Sequence, residues 1–259
     1  GVTGWTDRGV GDMYDVHNYP VTSMILPENN GNRISVLGEF GGYGWAIKEH
    51  IWNPNMRNWG YKNIDGAMAL IDSYGRLLYD LETLIAQGLS AAVYTQTTDV
   101  EGEVNGLITY DRKVTKIPEG LLHLMHNRLY EITPAKAVTL IADGQNGSKN
   151  TRLVSLNGQA LKMTSLPFDC PPRSTVVSEA TFKVDKDFSH LSLWLNVAGE
   201  AKVWLNGVEV FEQEAKQTRQ YNQYNISDYS RYLRKGSNLL KIEVKDSKKM
   251  RFDYGLRAY

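Results

Sequence analysis

Short apolar runs that end in polar residues characterise the first half of the chain. Residues 34–37 are apolar enough to predict a buried strand, and Glu39 follows them with glycines on both sides. Residues 13–18 predict a brief strand, and residues 89–94 predict another short buried strand that runs into polar residues. Each predicted strand therefore ends in side chains that can bond or react.

Two helices are predicted between and after these strands. Within residues 64–87 the apolar positions recur mostly at spacings of three and four, and Gly88 follows as an end signal. Residues 118–130 predict a second helix that begins at a proline. Strands that alternate with helices favour a parallel α/β arrangement, either part of an α/β barrel or an open sheet, with polar groups at one edge.

The pattern changes after about Pro134. Apolar and polar residues alternate over residues 191–197 and 240–244, which predicts half-buried strands. The pair Asn206-Gly207 accepts the positive φ angles of a tight turn and so predicts a hairpin over residues 203–210. We therefore expect two domains, an α/β part at residues 1–133 and a separate antiparallel β-sandwich at residues 134–259.

Composition narrows the class of partner. The 29 basic and 29 acidic residues give a net charge of zero, so we expect neither nucleic acid nor membrane as a partner. No apolar run approaches the roughly 20 residues of a membrane span. Cys170 is the single cysteine and cannot form an internal disulfide. The first residues lack a signal-peptide pattern, so the localisation stays open, with export of a longer parent protein as one expectation.

Glu39 is the candidate reactive group. Its neighbours Phe40, Tyr43 and Trp45 offer flat faces against which a sugar or another ring can stack. The alternative is a solvated carboxylate in a loop. Four polar side chains at strand ends are candidates to donate hydrogen bonds to Glu39 or to contact a substrate: His17, Asn18, Tyr94 and Gln96.

Asp15 and His17 are two residues apart and therefore lie on the same side of a strand. They form either a joint clamp for a substrate hydroxyl or a simple mutual pair. A His17 that only holds a loop through one hydrogen bond is a further alternative.

Metal and cofactor sites are weakly supported. The acidic residues Asp99, Glu101 and Glu103 suggest a cation site with oxygen ligands. The alternative is a solvated or salt-bridged loop. His123 and His126 have the spacing of a metal pair but lack an evident third ligand. No Gly-x-Ser-x-Gly elbow or phosphate-binding glycine pattern occurs. We therefore expect no metal and no cofactor.

Three segments together closely resemble glycoside hydrolase family 2, the β-galactosidase-like retaining glycosidases. They are Asp-Val-His-Asn-Tyr-Pro at residues 15–20, Val-Leu-Gly-Glu-Phe-Gly-Gly at residues 36–42, and residues 94–112. The resemblance implies that the three strands are strands six, seven and eight of a (β/α)8 barrel. It also implies that Glu39 is the nucleophile and that a carbohydrate is the substrate, bound by Asp15, His17, Asn18, Trp45, Tyr94 and Gln96.

The family's acid/base glutamate belongs to an Asn-Glu pair after strand four, which this sequence does not contain. The resemblance thus implies a C-terminal part of a longer enzyme that is inactive without its N-terminal part. We expect that missing part to be a partner, and self-association of this chain where it is absent.

The second domain resembles the jelly-roll, galactose-binding-like sandwiches that accompany such barrels, through residues 202–210 and 225–238. Those sandwiches bind sugars in some proteins and brace the barrel in others, and Trp194, Trp204 and Tyr221 fit either role. Two other hypotheses remain: a non-catalytic carbohydrate-binding or scaffolding protein, and an unrelated α/β enzyme with a metal at its strand ends.

Overall fold

The computed structural model describes residues 3–141, 150–215, 221–246 and 248–259, and the side chains within these ranges except those of residues 150–153, 162 and 163. The chain divides into two compact units, Gly1–Pro134 and Ala135–Tyr259. This division lies one residue beyond the domain boundary expected from the sequence. No helix in the described ranges is long and apolar enough to cross a membrane.

The first unit combines parallel strands with two α-helices. In chain order its elements are β1 (Met13–Asn18), β2 (Ile34–Gly41), β3 (Tyr43–Gly44), β4 (Lys62–Asn63), α1 (Ala67–Ala86), β5 (Leu89–Thr95) and α2 (Glu119–Tyr130). Short 3-10 helices occupy Pro27–Asn29 and Lys48–His50.

Strands β1, β2 and β5 form one sheet with β2 in the middle, and both pairings are parallel. The register places His17 opposite Glu39 and Phe40 opposite Tyr94. Because parallel strands end at the same edge, the polar groups that follow all three strands meet there. The parallel α/β arrangement is confirmed for this sheet; its membership of an eight-stranded barrel stays a prediction.

Helix α1 packs through one apolar face. Leu70, Tyr74, Leu77, Leu81 and Leu84 are all nearly inaccessible and recur at spacings of three and four. The helix begins three residues later than the periodicity predicted, because the backbone N–H of Ile64 donates to Gly44 and Gly66 has a φ angle of 87°, outside the helical range.

Strand β5 differs from the sequence prediction of a buried strand. Leu89 is buried, whereas residues 90–93 are exposed, and Val93 reaches 55% exposure. The strand lies at the edge of the sheet, where no further strand of the described chain covers it. Its small apolar residues were therefore misleading as a sign of burial.

Within its described residues, the second unit consists of strands and one 3-10 helix at Ser227–Tyr232. Its strands are β6 (Val138–Ile141), β7 (Asn150–Leu156), β8 (Gln159–Leu166), β9 (Phe168–Cys170), β10 (Ser174–Val184), β11 (Leu191–Asn196), β12 (Glu200–Leu205), β13 (Val208–Gln213), β14 (Asn222–Asn225), β15 (Gly236–Asp246) and β16 (Met250–Ala258).

Two antiparallel sheets make up this unit. One has the order β13-β12-β15-β10-β7-β8, and the other has the order β14-β11-β16-β6, with β9 also paired to β16. The sheets are joined across the core by a 2.9 Å hydrogen bond between the hydroxyls of Ser178 and Tyr254. The predicted β-sandwich is confirmed, and the jelly-roll connectivity stays a prediction.

Alternating burial along β10 shows why these residues form a sandwich: every second side chain enters the core. The predicted hairpin joins β12 to β13, and its turn residues Asn206 and Gly207 have φ angles of 51° and 87°. Trp194 is fully buried in the core, which excludes it as a sugar platform.

Candidate active site

Glu39 lies near the C-terminal end of β2, the central strand of the parallel sheet, and its side chain is 40% exposed. Its Oε2 atom is 2.6 Å from the hydroxyl of Tyr19 and 3.2 Å from Nδ1 of His17. The Tyr19 hydroxyl thus holds a carboxylate that stays open to solvent, with the imidazole of His17 beside it. A held, accessible carboxylate can attack or stabilise a bound molecule.

Tyr19 is the donor in the shorter of these contacts. Its hydroxyl also lies 2.9 Å from Oγ1 of Thr95, but a phenol has a single proton to donate. The ionised carboxylate is the stronger acceptor, so the Tyr19 proton points to Glu39 and the Thr95 hydroxyl donates to Tyr19. Burial, followed by the bond to Glu39, raises the pKa of the Tyr19 phenol well above its usual range, which keeps that proton in place.

His17 stands between two carboxylates. Its Nδ1 faces Glu39, and its Nε2 lies 3.3 Å from Oδ2 of Asp15. The other oxygen of Asp15 accepts a 2.9 Å hydrogen bond from the backbone N–H of Gly38. A Cβ at Gly38 would sit 2.3 Å from that oxygen, so any larger residue here would displace the Asp15 carboxylate. Asp15 and His17 therefore contact each other, and His17 also lies beside Glu39, while a joint clamp for a substrate hydroxyl stays a prediction.

Asn18 and Tyr94 bond to backbone groups beside the site. Asn18 is 2% exposed, and its side-chain amide donates to the backbone oxygen of Val21 at 2.9 Å. The Tyr94 hydroxyl accepts a hydrogen bond from the backbone N–H of Tyr43 at 3.3 Å. These hydrogen bonds fix the backbone beside the site, and contact of either side chain with a substrate stays a prediction.

Gln96 also points elsewhere than to Glu39. Its Nε2 donates to Oδ1 of Asn105 at 2.9 Å, and Nδ2 of Asn105 donates to Oε1 of Glu103 at 2.9 Å. Asn105 is fully buried. The three side chains form a relay next to Thr95, whose hydroxyl contacts Tyr19.

The aromatic residues that follow Glu39 are not the accessible ones. Phe40 and Tyr43 are 2% and 7% exposed, so the expectation that they stack on a ring is wrong: both fill the core. Trp45 is half-buried, and its backbone N–H donates to Val104 at 3.0 Å.

A different set of aromatic side chains is open to solvent beside the site. Trp5, Trp59 and Tyr61 are 59%, 38% and 43% exposed. The ring of Tyr61 stacks on that of Tyr19 with 3.5 Å between centroids and 3° between planes. Trp5 packs its ring edge against His17. These residues offer the apolar faces that sugar rings bind.

Asp99 is not a cation ligand. It is buried, and its Oδ1 lies 2.7 Å from Nζ of Lys116, which also donates to the backbone oxygens of Trp45 and Val104. Burial raises the pKa of Asp99 and lowers that of Lys116, and the bond between them opposes both shifts. The salt-bridged alternative was therefore the right one.

His126 is likewise committed to a side-chain contact, with Nε2 2.7 Å from the hydroxyl of Tyr74. Across the described ranges, no group of three or more His, Cys, Asp or Glu side chains is arranged to hold a metal ion.

No protein-family model and no curated protein matches the chain. Solved structures with partial similarity include a β-D-glucuronidase from Dictyoglomus thermophilum, with 9% identity, a TM-score of 0.35, and coverage of 48% of this chain and 28% of that one. A β-D-mannosidase from the same organism has 13% identity and a TM-score of 0.32, and the match covers 44% of this chain and 16% of that one.

A glycosyl hydrolase family 2 member from Bacteroides cellulosilyticus DSM 14838 has 14% identity and a TM-score of 0.35, and the match covers 48% of this chain and 21% of that one. The chain spans less than a third of the length of these proteins. Similarity at this level assigns no function, so the case for one depends on the residues around Glu39.

Tyr19 and Thr95 are the site residues that the sequence interpretation did not single out. Tyr19 belongs to the segment at residues 15–20, next to the polar side chains that were considered. Its position next to Pro20, at the end of a predicted strand, was the sequence signal that could have identified it as a site residue.

Proposed function

We propose that this chain carries the nucleophile of a retaining β-glycosidase and that Glu39 is that nucleophile. The observation that carries the proposal is the half-exposed Glu39 carboxylate at the end of a parallel strand, held by Tyr19 and flanked by His17. The resemblance of residues 15–20, 36–42 and 94–112 to glycoside hydrolase family 2 supports the same assignment.

In this proposal the Glu39 oxygen attacks the anomeric carbon while a second carboxyl group protonates the departing oxygen. A covalent glycosyl-enzyme forms, and water then hydrolyses it with retention of configuration. The Tyr19 hydroxyl fixes the carboxylate for in-line attack, and the imidazole of His17 lies on its other side, next to Asp15.

The second carboxyl group is proposed to come from chain outside these 259 residues. Retention needs two carboxyls about 5 to 5.5 Å apart. The neighbouring carboxylates are already engaged: Asp15 binds Gly38 and His17, and Glu103 binds Asn105. The strands β1, β2 and β5 would then be the sixth, seventh and eighth of a closed barrel in the longer protein.

The proposal is tested by replacing Glu39 with Gln in the longer protein. This substitution keeps size and hydrogen bonding but removes the attacking charge, so turnover of aryl β-glycosides should fall by at least about a thousandfold while sugar binding survives. Glu119→Gln, at an exposed position on α2, is the matched control and should retain full turnover. Near-parental turnover by Glu39→Gln would contradict the assignment.

A carbohydrate-binding protein without catalysis is the second candidate. The exposed aromatic rings of Trp5, Trp59 and Tyr61 favour it, because they offer a binding surface that needs no reacting carboxylate. It predicts saturable sugar binding by the longer protein, equal in the parent and in Glu39→Gln, with no turnover in either.

A further inference from the structure

We propose that residues 4–9 form a strap that keeps the ring of Trp5 beside Glu39, and that an ion pair latches this strap closed. Trp5 is then a positioning residue, which acts on the Glu39 carboxylate through the side chains of His17 and Tyr19. The inference rests on the proposed function of Glu39, and it assigns a role to a segment outside the three that resemble glycoside hydrolase family 2.

The strap begins with a backbone contact to β1. The carbonyl of Gly4 accepts a 3.0 Å hydrogen bond from the backbone N–H of His17. A Cβ at Gly4 would sit 2.0 Å from Cδ2 of the His17 ring and 2.6 Å from the His17 backbone nitrogen. The backbone of the strap therefore lies directly against the strand at the residue that faces Glu39, and a side chain at this position would push the two apart.

An ion pair holds the other end of the strap. The two carboxylate oxygens of Asp7 accept hydrogen bonds of 2.7 and 2.8 Å from the two terminal nitrogens of Arg33, which is a bidentate geometry. Arg33 is itself fixed, because its Nε donates to the backbone oxygen of Asn30 at 3.0 Å and its guanidinium lies 4.4 Å from the ring centre of Tyr14. A pair that includes an already ordered side chain loses less entropy than an ordinary surface pair, so it can serve as the latch.

Asp7 also shapes the end of the strap. Its Oδ1 accepts a 3.0 Å hydrogen bond from the backbone N–H of Gly9, a residue with a φ angle of 70°. The bond from Arg33, followed by the bond from Gly9, lowers the pKa of Asp7 to about 2. The latch is therefore charged at neutral pH.

Trp5 lies between the two anchors and contacts both side chains beside Glu39. Its ring centre is 5.4 Å from that of His17, with the planes at 78°, and 6.2 Å from that of Tyr19, with the planes at 28°. The Tyr19 hydroxyl and Nδ1 of His17 are 2.6 and 3.2 Å from Oε2 of Glu39. Since the anchors are three residues apart and so span at most about 10 Å, Trp5 has little room to move away while both hold.

Packing alone does not account for the position of Trp5. The residue is 59% exposed, so most of its ring adds nothing to an apolar core. A large exposed ring that is anchored on both sides and contacts two site residues points to a role at the site. Loss of this ring should therefore affect the rate of the proposed reaction more than the stability of the protein.

The role of Trp5 is tested in the longer protein by Trp5→Ala. Without the indole, the hydroxyl of Tyr19 and the ring of His17 are less restricted, so kcat for an aryl β-glycoside should fall by about tenfold while KM changes by less than about threefold. Trp5→Phe keeps a ring and should recover most of the loss. A change confined to KM would overturn the positioning role, because it would indicate direct contact with the substrate, and an unchanged kcat would overturn it as well.

A double-mutant cycle tests whether Trp5 acts through Tyr19. In a Tyr19→Phe background the hydroxyl that Trp5 helps to orient is absent, so Trp5→Ala should reduce kcat by only about threefold or less. Equal losses of kcat in the parent and in the Tyr19→Phe background would refute the action of Trp5 through Tyr19.

The latch is tested without substrate by fluorine NMR. The longer protein is labelled with 5-fluorotryptophan, and the resonance of Trp5 is the one absent from Trp5→Phe. Asp7→Asn removes the charge of the latch but keeps an oxygen for the N–H of Gly9, so the Trp5 resonance should shift and sharpen. Asp187→Asn, which weakens a 3.0 Å surface ion pair with Lys235 in the second unit, is the matched control and should leave it unchanged. An unmoved Trp5 resonance in Asp7→Asn would refute the latch.

These experiments separate the strap from the nucleophile. Absence of turnover in the parent would remove the proposed function of Glu39, while the Trp5 resonance would still decide whether the strap is latched. Covalent labelling of Glu39 together with an unchanged kcat in Trp5→Ala would leave the nucleophile standing and overturn the positioning role of Trp5.

Discussion

The two units of this protein use buried polar groups in opposite ways. In the sandwich, polar side chains close on one another, as Ser178 does with Tyr254 across the core. In the α/β unit, Tyr19, His17 and Asp15 converge on Glu39, which remains half exposed. Closed pairs contribute stability alone, whereas the open constellation keeps a reactive group accessible. The comparison places the proposed chemistry in the first unit.

The units also differ in what holds them together. The sandwich relies on alternating apolar side chains from two sheets, and Leu193 and Leu256 are both fully buried. The α/β unit has a small parallel sheet and long loops, which are tied by the buried pair of Asp99 and Lys116. Breaking the buried ion pair should therefore destabilise the first unit alone. Removing a core leucine should destabilise the sandwich alone.

The largest effect is expected from Lys116→Met. It leaves the Asp99 carboxylate buried without its cation, which should reduce the free energy of unfolding of the first unit by about 3–5 kcal/mol. Hydrogen exchange of amides in each unit measures the effect separately. Lys113→Met is the control, since its side chain is 74% exposed, and should change stability by less than about 0.5 kcal/mol. Equal losses in both units would contradict independent stabilisation.

The sandwich should fold alone and depend on its apolar core. Residues 134–259, expressed separately, should show a cooperative thermal transition. Leu256→Ala should lower its free energy of unfolding by about 2–5 kcal/mol, because the side chain is fully buried and leaves a cavity. Denaturant titration measures the change. A separately expressed sandwich that stays unfolded would show that it depends on the first unit.

Tyr19→Phe should affect catalysis more than folding. It removes the hydrogen bond to Glu39 while keeping the ring that stacks on Tyr61, so kcat of the longer protein should fall by about ten- to a hundredfold. The matched control is Tyr110→Phe, a 37% exposed tyrosine that packs against Trp52, and it should leave kcat unchanged. Unchanged kcat in Tyr19→Phe would mean that its bond does not orient the nucleophile.

The smallest effect concerns a surface contact of the first unit. Nδ1 of His50 lies 2.8 Å from Oδ2 of Asp111, and this contact together with nearby donors lowers the pKa of Asp111 to about 2. A depressed carboxyl pKa contributes stability above its unfolded value of 3.8, and this contribution disappears as the pH falls towards 2. Carboxyl chemical shifts should show the Asp111 midpoint rising in His50→Gln; an unmoved midpoint would exclude His50 as the cause.

The sequence was sufficient for features set by local pattern. The period of α1, the alternation in β10 and the turn at Asn206-Gly207 each depend on neighbouring residues and were predicted. Glu39 at a strand end was predicted for the same reason. These are short-range properties that residue spacing reports directly.

Features that depend on strand register and on contacts between distant residues could not be predicted from the sequence. Tyr19 meets Glu39 because β1 and β2 pair in one particular register, and Lys116 meets Asp99 only after a loop returns. Phe40 and Tyr43 were predicted to face a ring because they follow Glu39, but the backbone turns both into the core. Strand β5 was predicted as buried from its composition, which does not reveal that it lies at an edge.

The exposed middle of β5 bears on the expected self-association. Residues 91–93 present small apolar side chains, and β5 has a free edge in the described chain, the kind of surface that pairs with another strand. Association of this chain with itself or with the remainder of a barrel stays a prediction.

The central claim is tested most directly by trapping the covalent intermediate. The longer protein is incubated with a 2-deoxy-2-fluoro β-glycoside, which forms a glycosyl-enzyme faster than it is hydrolysed, and the labelled peptide is identified by mass spectrometry. The account predicts one sugar per chain, attached to Glu39 and absent from Glu39→Gln. A label on Asp15, Asp99 or Glu103, or a label that persists in Glu39→Gln, would contradict it.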